Sequence, residues 1–196
     1  MKKILILLII VLFVVNCTNN PKDKYPSEGD LFPLKKGYYW HYMSYNESSG
    51  LTRYHATEIY DTLTVQDTIH LYRSRLGDAN SDFTNITWTG TQYVAKGDSF
   101  LYYYSISDSA RKWKDMPLFI EIDDIWISDW DLQEFIVEDK DSIEVPAGTF
   151  FAYKIKVYIY YLNHNLYYYR WVAEDVGIVK EEYPTWISVL LDYKSN

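Results

Sequence analysis

One cysteine, Cys17, occurs in 196 residues. No disulfide can form within the chain, so any domain beyond it relies on packing and hydrogen bonding. Glycine and proline are also scarce, at 8 and 6, which excludes collagen-like and linker-rich architectures. Alanine is absent before Ala56, so an ordinary signal peptidase, which wants small residues at its A-x-A-like site, finds little to cut near the N-terminus. Positive charge is in deficit: 19 Lys and Arg stand against 27 Asp and Glu, a net −8. That balance argues against nucleic acid as a partner and against direct adhesion to an anionic membrane face. The longest apolar run, residues 4–15, has 12 residues, well short of the roughly 20 a membrane-spanning helix needs.

What surrounds that run gives it meaning. Met1-Lys2-Lys3 supplies a cationic start, the apolar stretch follows, and Val14-Val15-Asn16-Cys17 then leads into a polar segment. This is the order of a secretory signal peptide. The four residues ending in Cys17 resemble the lipobox of bacterial lipoproteins, relaxed at Asn16, which is bulkier than the usual small residue. The expectation is a signal peptide over 1–16, a lipidated tether over 17–30 and one domain over 31–196. An uncleaved anchor and a buried strand with an incidental thiol are the competing readings. Lipidation of Cys17 would place the chain in the bacterial cell envelope, held to the membrane by its N-terminal acyl groups. One chain binds only reversibly, at about 0.8 kcal/mol per methylene, but two or three hold durably. Thr18, where Asp would signal retention, implies the outer membrane in a Gram-negative host. Loss of Lys2 and Lys3 brings the mature charge to −10.

The body is rich in aromatics, with 21 Tyr, 7 Trp and 8 Phe. Part of this reflects strand propensity, and part fits a chain also rich in Ile, Lys and Asn, as an AT-rich genome would encode. Beyond Leu31 the pattern is strand-like throughout: runs of aromatic and β-branched residues broken by Gly, Asn, Asp and Pro. Strands are expected over 38–45, 53–65, 70–76, 84–88, 92–96, 100–106, 119–127, 134–145, 150–162, 166–173, 177–183 and 186–193, with at most one helical turn over 128–134. Three hairpins are expected: a two-residue turn at Thr89-Gly90, a turn at Pro146-Ala147, and a three-residue loop at Asn163-His164-Asn165. The last would set Tyr161, Ile159 and Val157 opposite Tyr167, Tyr169 and Trp171 on the buried face. In the final strand Ile187, Val189, Leu191 and Tyr193 share a face opposite Ser188 and Asp192. The fold class is mainly β: a single large antiparallel meander curled into a half-barrel or open barrel, with little helix beyond the signal peptide.

Three segments carry a resemblance. Phe32-Pro33-Leu34, Gly37 and Trp40 with Tyr42 form an opening motif, Val145-Pro146-Ala147-Gly148-Thr149-Phe150 a second, and Trp171–Lys180 a closing element. Together they resemble an uncharacterised bacterial lipoprotein family with a curved antiparallel sheet, similar to the half-barrels of lipoprotein-localisation carriers. These are turn and packing motifs, so the resemblance implies fold and location and carries over no active site. By fold analogy alone, a concave face of this kind could hold a lipid or acyl chain.

Chemistry-bearing patterns are few. His41, His55, His70 and His164 lack metal-site spacing, no Gly-x-Ser-x-Gly elbow or phosphate loop occurs, and neither metal nor cofactor is expected. The acidic stretch with Asp123, Asp129 and Asp131 encloses Trp126 and Trp130. A carboxylate-based hydrolase would need two such groups facing one cleft. A glycan-binding module would use Trp88, Trp126 and Trp130 as exposed platforms beside polar groups. The leading expectation is a non-enzymatic envelope lipoprotein whose β domain binds a lipid, glycan or protein partner.

Overall fold

The computed structural model describes residues 30–65, 69–105, 111–129, 133–160 and 166–195. Cys17, the residues expected to form the signal peptide and most of the tether, Trp130, Asp131 and the Asn163-His164-Asn165 loop lie outside them. The described residues form twelve strands and no helix: β1 (Tyr39–Asn46), β2 (Thr52–Val65), β3 (Ile69–Ala79), β4 (Ile86–Lys96), β5 (Phe100–Tyr104), β6 (Lys112–Pro117), β7 (Ile125–Ile127), β8 (Gln133–Val145), β9 (Gly148–Ile159), β10 (Tyr167–Ala173), β11 (Gly177–Glu182) and β12 (Trp186–Lys194). All pairings are antiparallel. Sequential strands are neighbours, β1 also pairs with β12, and β6 and β7 are left as the two edges. Those edges nearly meet: the Asp129 N–H, just past β7, donates to the Lys114 carbonyl of β6 at 2.8 Å. The result is a nearly closed barrel, the open-barrel outcome of the expected meander.

Its curvature has a local origin. Register slips in six strand pairings, leaving Leu191, Val179, Tyr60, Thr89 and Glu138 as extra residues in five of them. Each bulge adds right-handed twist and bends its strand, so a twelve-stranded sheet that could not stay flat rolls up. The Thr89 bulge corrects the first expected hairpin. Thr89-Gly90 lies within β4, where Leu76 faces Gly90 and Gly77 faces Trp88. Gly77 is what the kink requires: a Cβ there would sit 2.7 Å from the Thr87 carbonyl. The Pro146-Ala147 hairpin forms, with Val145 opposite Gly148.

Three further expectations are overturned. Only Ile125–Ile127 of the expected strand over 119–127 is a strand, and β6 was missed, because its Lys-Trp-Lys-Asp alternation shows no apolar face. In the β9–β10 hairpin Tyr158 faces Tyr167 and Val157 faces Tyr168, a register three residues from the expected one. Tyr168, Arg170 and Val172 therefore point inward, and Tyr167, Tyr169 and Trp171 point outward. In β12 the buried inward residues are Ser188 and Leu190.

The outward aromatics are not stranded in water. Lys156 lies over the Tyr167 ring at 4.3 Å, Lys154 over Tyr169 at 4.2 Å and Lys180 over Trp171 at 4.5 Å. Stacked ammonium groups and aliphatic stems cover the ring faces, an arrangement worth about 0.5–1 kcal/mol at each exposed site.

Two apolar clusters fill the barrel. One gathers Leu31, Met116, Trp126, Phe135, Val137, Ile155, Val157, Tyr168 and Val172. The other gathers Tyr38, Trp40, Ile59, Val145, Ala152, Ala173, Val176, Val179 and Leu190. This second cluster is where the three sequence motifs converge. Trp40 Nε1 donates to the Val176 carbonyl at 2.6 Å, Tyr42 OH to the Ile178 carbonyl at 3.0 Å, and the Ala147 N–H to the Leu190 carbonyl at 3.1 Å. The opening segment is itself a strap. The Asp30 N–H donates to Asp175 Oδ1 and the Asp175 N–H to the Asp30 carbonyl, both at 2.8 Å, while Lys96 pairs with the Asp30 carboxylate. Asp175 lies in the turn between β10 and β11 and Lys96 ends β4, well apart in the sheet order, so the strap runs between two walls.

Candidate functional site: the barrel lumen

Barrels of eight strands are filled by side chains and those of sixteen or more keep an open channel. At twelve strands this barrel is intermediate, and a cavity of about 380 Å³ remains inside it. Met116 and Phe135 of the first cluster and Trp40 and Ile59 of the second wall it, with Phe32, Pro33 and Leu34 of the strap also lining it. The period-two alternation of the strands sets which side chains reach it: His55, Thr57 and Ile59 from β2, Ser74 and Leu76 from β3, Gln92 and Val94 from β4.

The far wall is charged. Arg170 of β10 and Glu181 of β11 are direct register partners, and Arg170 Nε donates to Glu181 Oε1 at 2.8 Å. Arg170 Nη2 donates to Tyr168 OH at 3.0 Å, and that hydroxyl donates on to Gln133 Oε1 at 3.2 Å. Arg170 Nη1 meets a softer neighbour, Met116 Sδ, at 3.8 Å. Asp115 also lines the cavity and accepts from Ser128 Oγ at 3.1 Å. Burial works against the charge on Arg170, but the oxygens of Tyr168, Glu181, Asp115 and Tyr183 outweigh it, so the guanidinium stays protonated. Burial, then the Glu181 charge, raises Tyr42 and Tyr183 far above the usual phenol range. Both remain neutral hydroxyls. Burial also lowers His55, against the pull of Glu181 and Asp78, so at neutral pH it is an uncharged imidazole stacked on Tyr42 at 5.1 Å. The lumen thus offers apolar side chains, several neutral hydroxyls and amides, and the Arg170–Glu181 ion pair.

Of this wall, Arg170, Glu181 and Asp115 do not stand out in the sequence. Arg170 sits between Tyr169 and Trp171, whose aromatic alternation draws attention to the wrong face. A usable signal was present: opposite charges at 170 and 181 fall directly across the adjacent hairpin, and such pairs are favoured between neighbouring strands.

The residues that were singled out scatter. Trp88 is half-buried on β4 with the Arg75 guanidinium 4.0 Å above its ring. Trp126 is 7% exposed and stacks on Phe135 at 4.9 Å and 6°, so it is a core residue and offers no open face. Trp130 lies outside the described residues. Asp123 and Asp129 are exposed at opposite ends of β7, and neither lines the cavity. Among the described residues no group of three His, Cys, Asp or Glu could hold a metal ion.

Trp126 carries a testable peculiarity. Its buried indole N–H has no hydrogen-bond partner among the described residues. An orphaned donor costs about 1–3 kcal/mol, so Trp126→Phe trades that relief against lost volume. It should unfold within about 1 kcal/mol of wild type in urea, whereas Trp126→Ala should lose about 3–5 kcal/mol. Equal losses in both variants would show that the indole N–H is satisfied.

Residues 114–184, which hold β7 to β11 and most of the lumen's charged wall, match the model of a family described as DUF3108-like. No curated protein matches the sequence. Two solved structures share the fold. One is a candidate lipoprotein from Parabacteroides distasonis, the other a candidate exported protein with a YmcC-like fold from Bacteroides fragilis. Each aligns with a TM-score of 0.51 at 14% identity, covering 85% of this chain and 99% of its own. At that identity the likeness is one of fold: the chain is built on the same barrel-like scaffold as these two proteins.

Proposed function

We propose that this chain is a lipid-anchored lipoprotein of the bacterial envelope, in a Gram-negative host of the outer membrane, whose barrel binds a small amphipathic ligand without turning it over. The observation that carries the binding role is the lumen itself. Its volume lies within the few hundred Å³ typical of small-molecule sites, and its walls combine apolar side chains with convergent polar groups. The anchor rests on Cys17 directly behind a cationic start and a 12-residue apolar run. The two structural neighbours, described as a candidate lipoprotein and a candidate exported protein, support an exported location. A cargo-holding role like that of lipoprotein-localisation carriers rests on the lumen alone. The exposed, separated Asp123 and Asp129 favour binding over carboxylate catalysis.

Two measurements test the two halves. Cys17→Ser expressed in the native host should accumulate as unprocessed precursor lacking acyl mass, and processing with undiminished membrane retention would defeat the anchor. For the lumen, the neutral dye Nile red should bind the domain over 31–196 and fluoresce. Gln92→Trp, which fills the cavity from β4, should weaken that binding at least tenfold; unchanged binding would place the site elsewhere.

A further inference from the structure

β10 carries its aromatic residues on the side that burial would not select: Arg170 lines the lumen, while Tyr167, Tyr169 and Trp171 face out. Tyr158 of β9 joins them, and the four rings form one row across the outer surface. Their centroids lie 5.9, 5.6 and 6.0 Å apart in the order Tyr158, Tyr167, Tyr169, Trp171. No apolar core packs on this row, and contiguous aromatic surface outside a core marks recognition. Lysine stems cover part of the rings, yet Tyr167 stays 40% exposed. At its end of the row a hollow of about 290 Å³ opens between Tyr167, Tyr169, Tyr183, Leu166, Pro184 and Glu182. That hollow shares no lining residue with the lumen.

What borders the rings sets the ligand class. Glu182 Oε2 accepts from Lys180 Nζ at 2.6 Å, and Glu182 Oε1 has no hydrogen-bond partner among the described residues. Lys154 and Lys156 lie 3.7 and 3.9 Å from the Glu138 carboxylate, longer than hydrogen bonds. Acceptors and donors therefore stand beside aromatic surface, already paired in charge with one another. A pyranose ring matches this mixture, because its C–H face lies on an aromatic ring while each hydroxyl both donates and accepts. A purely apolar partner would strip water from the carboxylates and ammonium groups without replacing its hydrogen bonds. From this juxtaposition we infer that the outer face of β10 is a binding site for an oligosaccharide of neutral hexoses. One sugar sits in the hollow on Tyr167 and Tyr169 with a hydroxyl donating to Glu182 Oε1, and the chain continues past Trp171. The site is independent of the lumen and lies apart from Trp88 and Trp126.

Affinity electrophoresis tests it. The full chain, in a polyoxyethylene detergent that carries no sugar, runs through native gels containing dextran, laminarin or mannan, all uncharged, so that retardation cannot come from charge. At least one of the three should retard the chain relative to a gel without polysaccharide. Tyr167→Ala and Tyr169→Ala should each weaken that binding about tenfold, the scale of one lost aromatic contact. Glu182→Gln keeps the shape but makes the acceptor neutral, and should weaken it about fivefold. Gln92→Trp, which fills the lumen, and Trp88→Ala on β4 should both match wild type. No retardation in any of the three gels overturns the inference, as does binding that survives both tyrosine variants or is lost in Gln92→Trp. The Nile red measurement is separate, so each of these failures leaves the lumen reading standing, and a lumen that takes no dye leaves this one standing.

Discussion

Truncation of Phe135 to alanine should lower the unfolding free energy by about 3–5 kcal/mol, the range found for buried aromatic rings. The side chain is 1% exposed and is the largest of the fully buried side chains. It lies on the inward face of β8, stacked on Trp126 and under the Arg170 guanidinium at 5.7 Å. Removing it strips three things at once: the transfer energy of the ring, its stacking with Trp126 at about 0.5–1.5 kcal/mol, and an apolar cover over a buried charge. The neighbouring cavity prevents recovery. A site can lower the cost of a large-to-small change by collapsing, but the wall beyond Phe135 is already open space, so the new void joins the lumen. Urea denaturation of the domain over 31–196 measures the loss, with Phe135→Leu expected at less than half of it. A loss for Phe135→Ala below about 1 kcal/mol would mean that this face of β8 is not core.

How much of this was legible beforehand depends on what faced inward. β1, β2, β8, β9, β11 and β12 could be placed within a few residues, because turn residues and β-branched runs bracket them. The Pro146-Ala147 hairpin was legible because Pro146 presets the first central turn position and Gly148 takes the exit. The register of β9 and β10 was not. The rule that the apolar face is the buried face fails in a barrel whose hollow is lined in part by polar groups: β10 turns Arg170 inward with Tyr168 and Val172, and turns Tyr167, Tyr169 and Trp171 outward under lysines from β9 and β11. β12 fails in the same way, burying Ser188. Gly90 misled for a different reason. Glycine marks both turns and close strand approaches, and the approach at Gly77, one strand away, is what bends β4. As for the site, Trp126 was attractive because tryptophan near carboxylates suits a sugar platform, but the short β7 turns it inward onto Phe135. Arg170, Glu181 and Asp115 lie on three strands that only the closed sheet brings to one wall.

The Arg170–Glu181 pair should show a large coupling energy. Its side chains are 16% and 20% exposed, the exposed part belonging to residues that line the lumen, so water screens the pair incompletely. Arg170→Met leaves Glu181 without its cation, and an unpaired buried charge of this kind costs about 3–5 kcal/mol; contact with lumen water puts the expectation at the lower end. Glu181→Met should cost less, because Arg170 keeps Tyr168 and the field of Asp115. The double variant Arg170→Met/Glu181→Met removes both desolvation penalties and fills the space with flexible apolar chains. It should recover to within about 1 kcal/mol of wild type, since replacing a whole buried pair is often neutral. The cycle then gives a coupling of at least about 2 kcal/mol in urea, where ionic strength stays low. Single losses that merely add would mean the two groups are solvated independently, and with that the charged wall would lose its hold on any ligand. Strong coupling with a tolerant double variant would instead mark the pair as kept for something other than stability, because methionines would hold the barrel equally well.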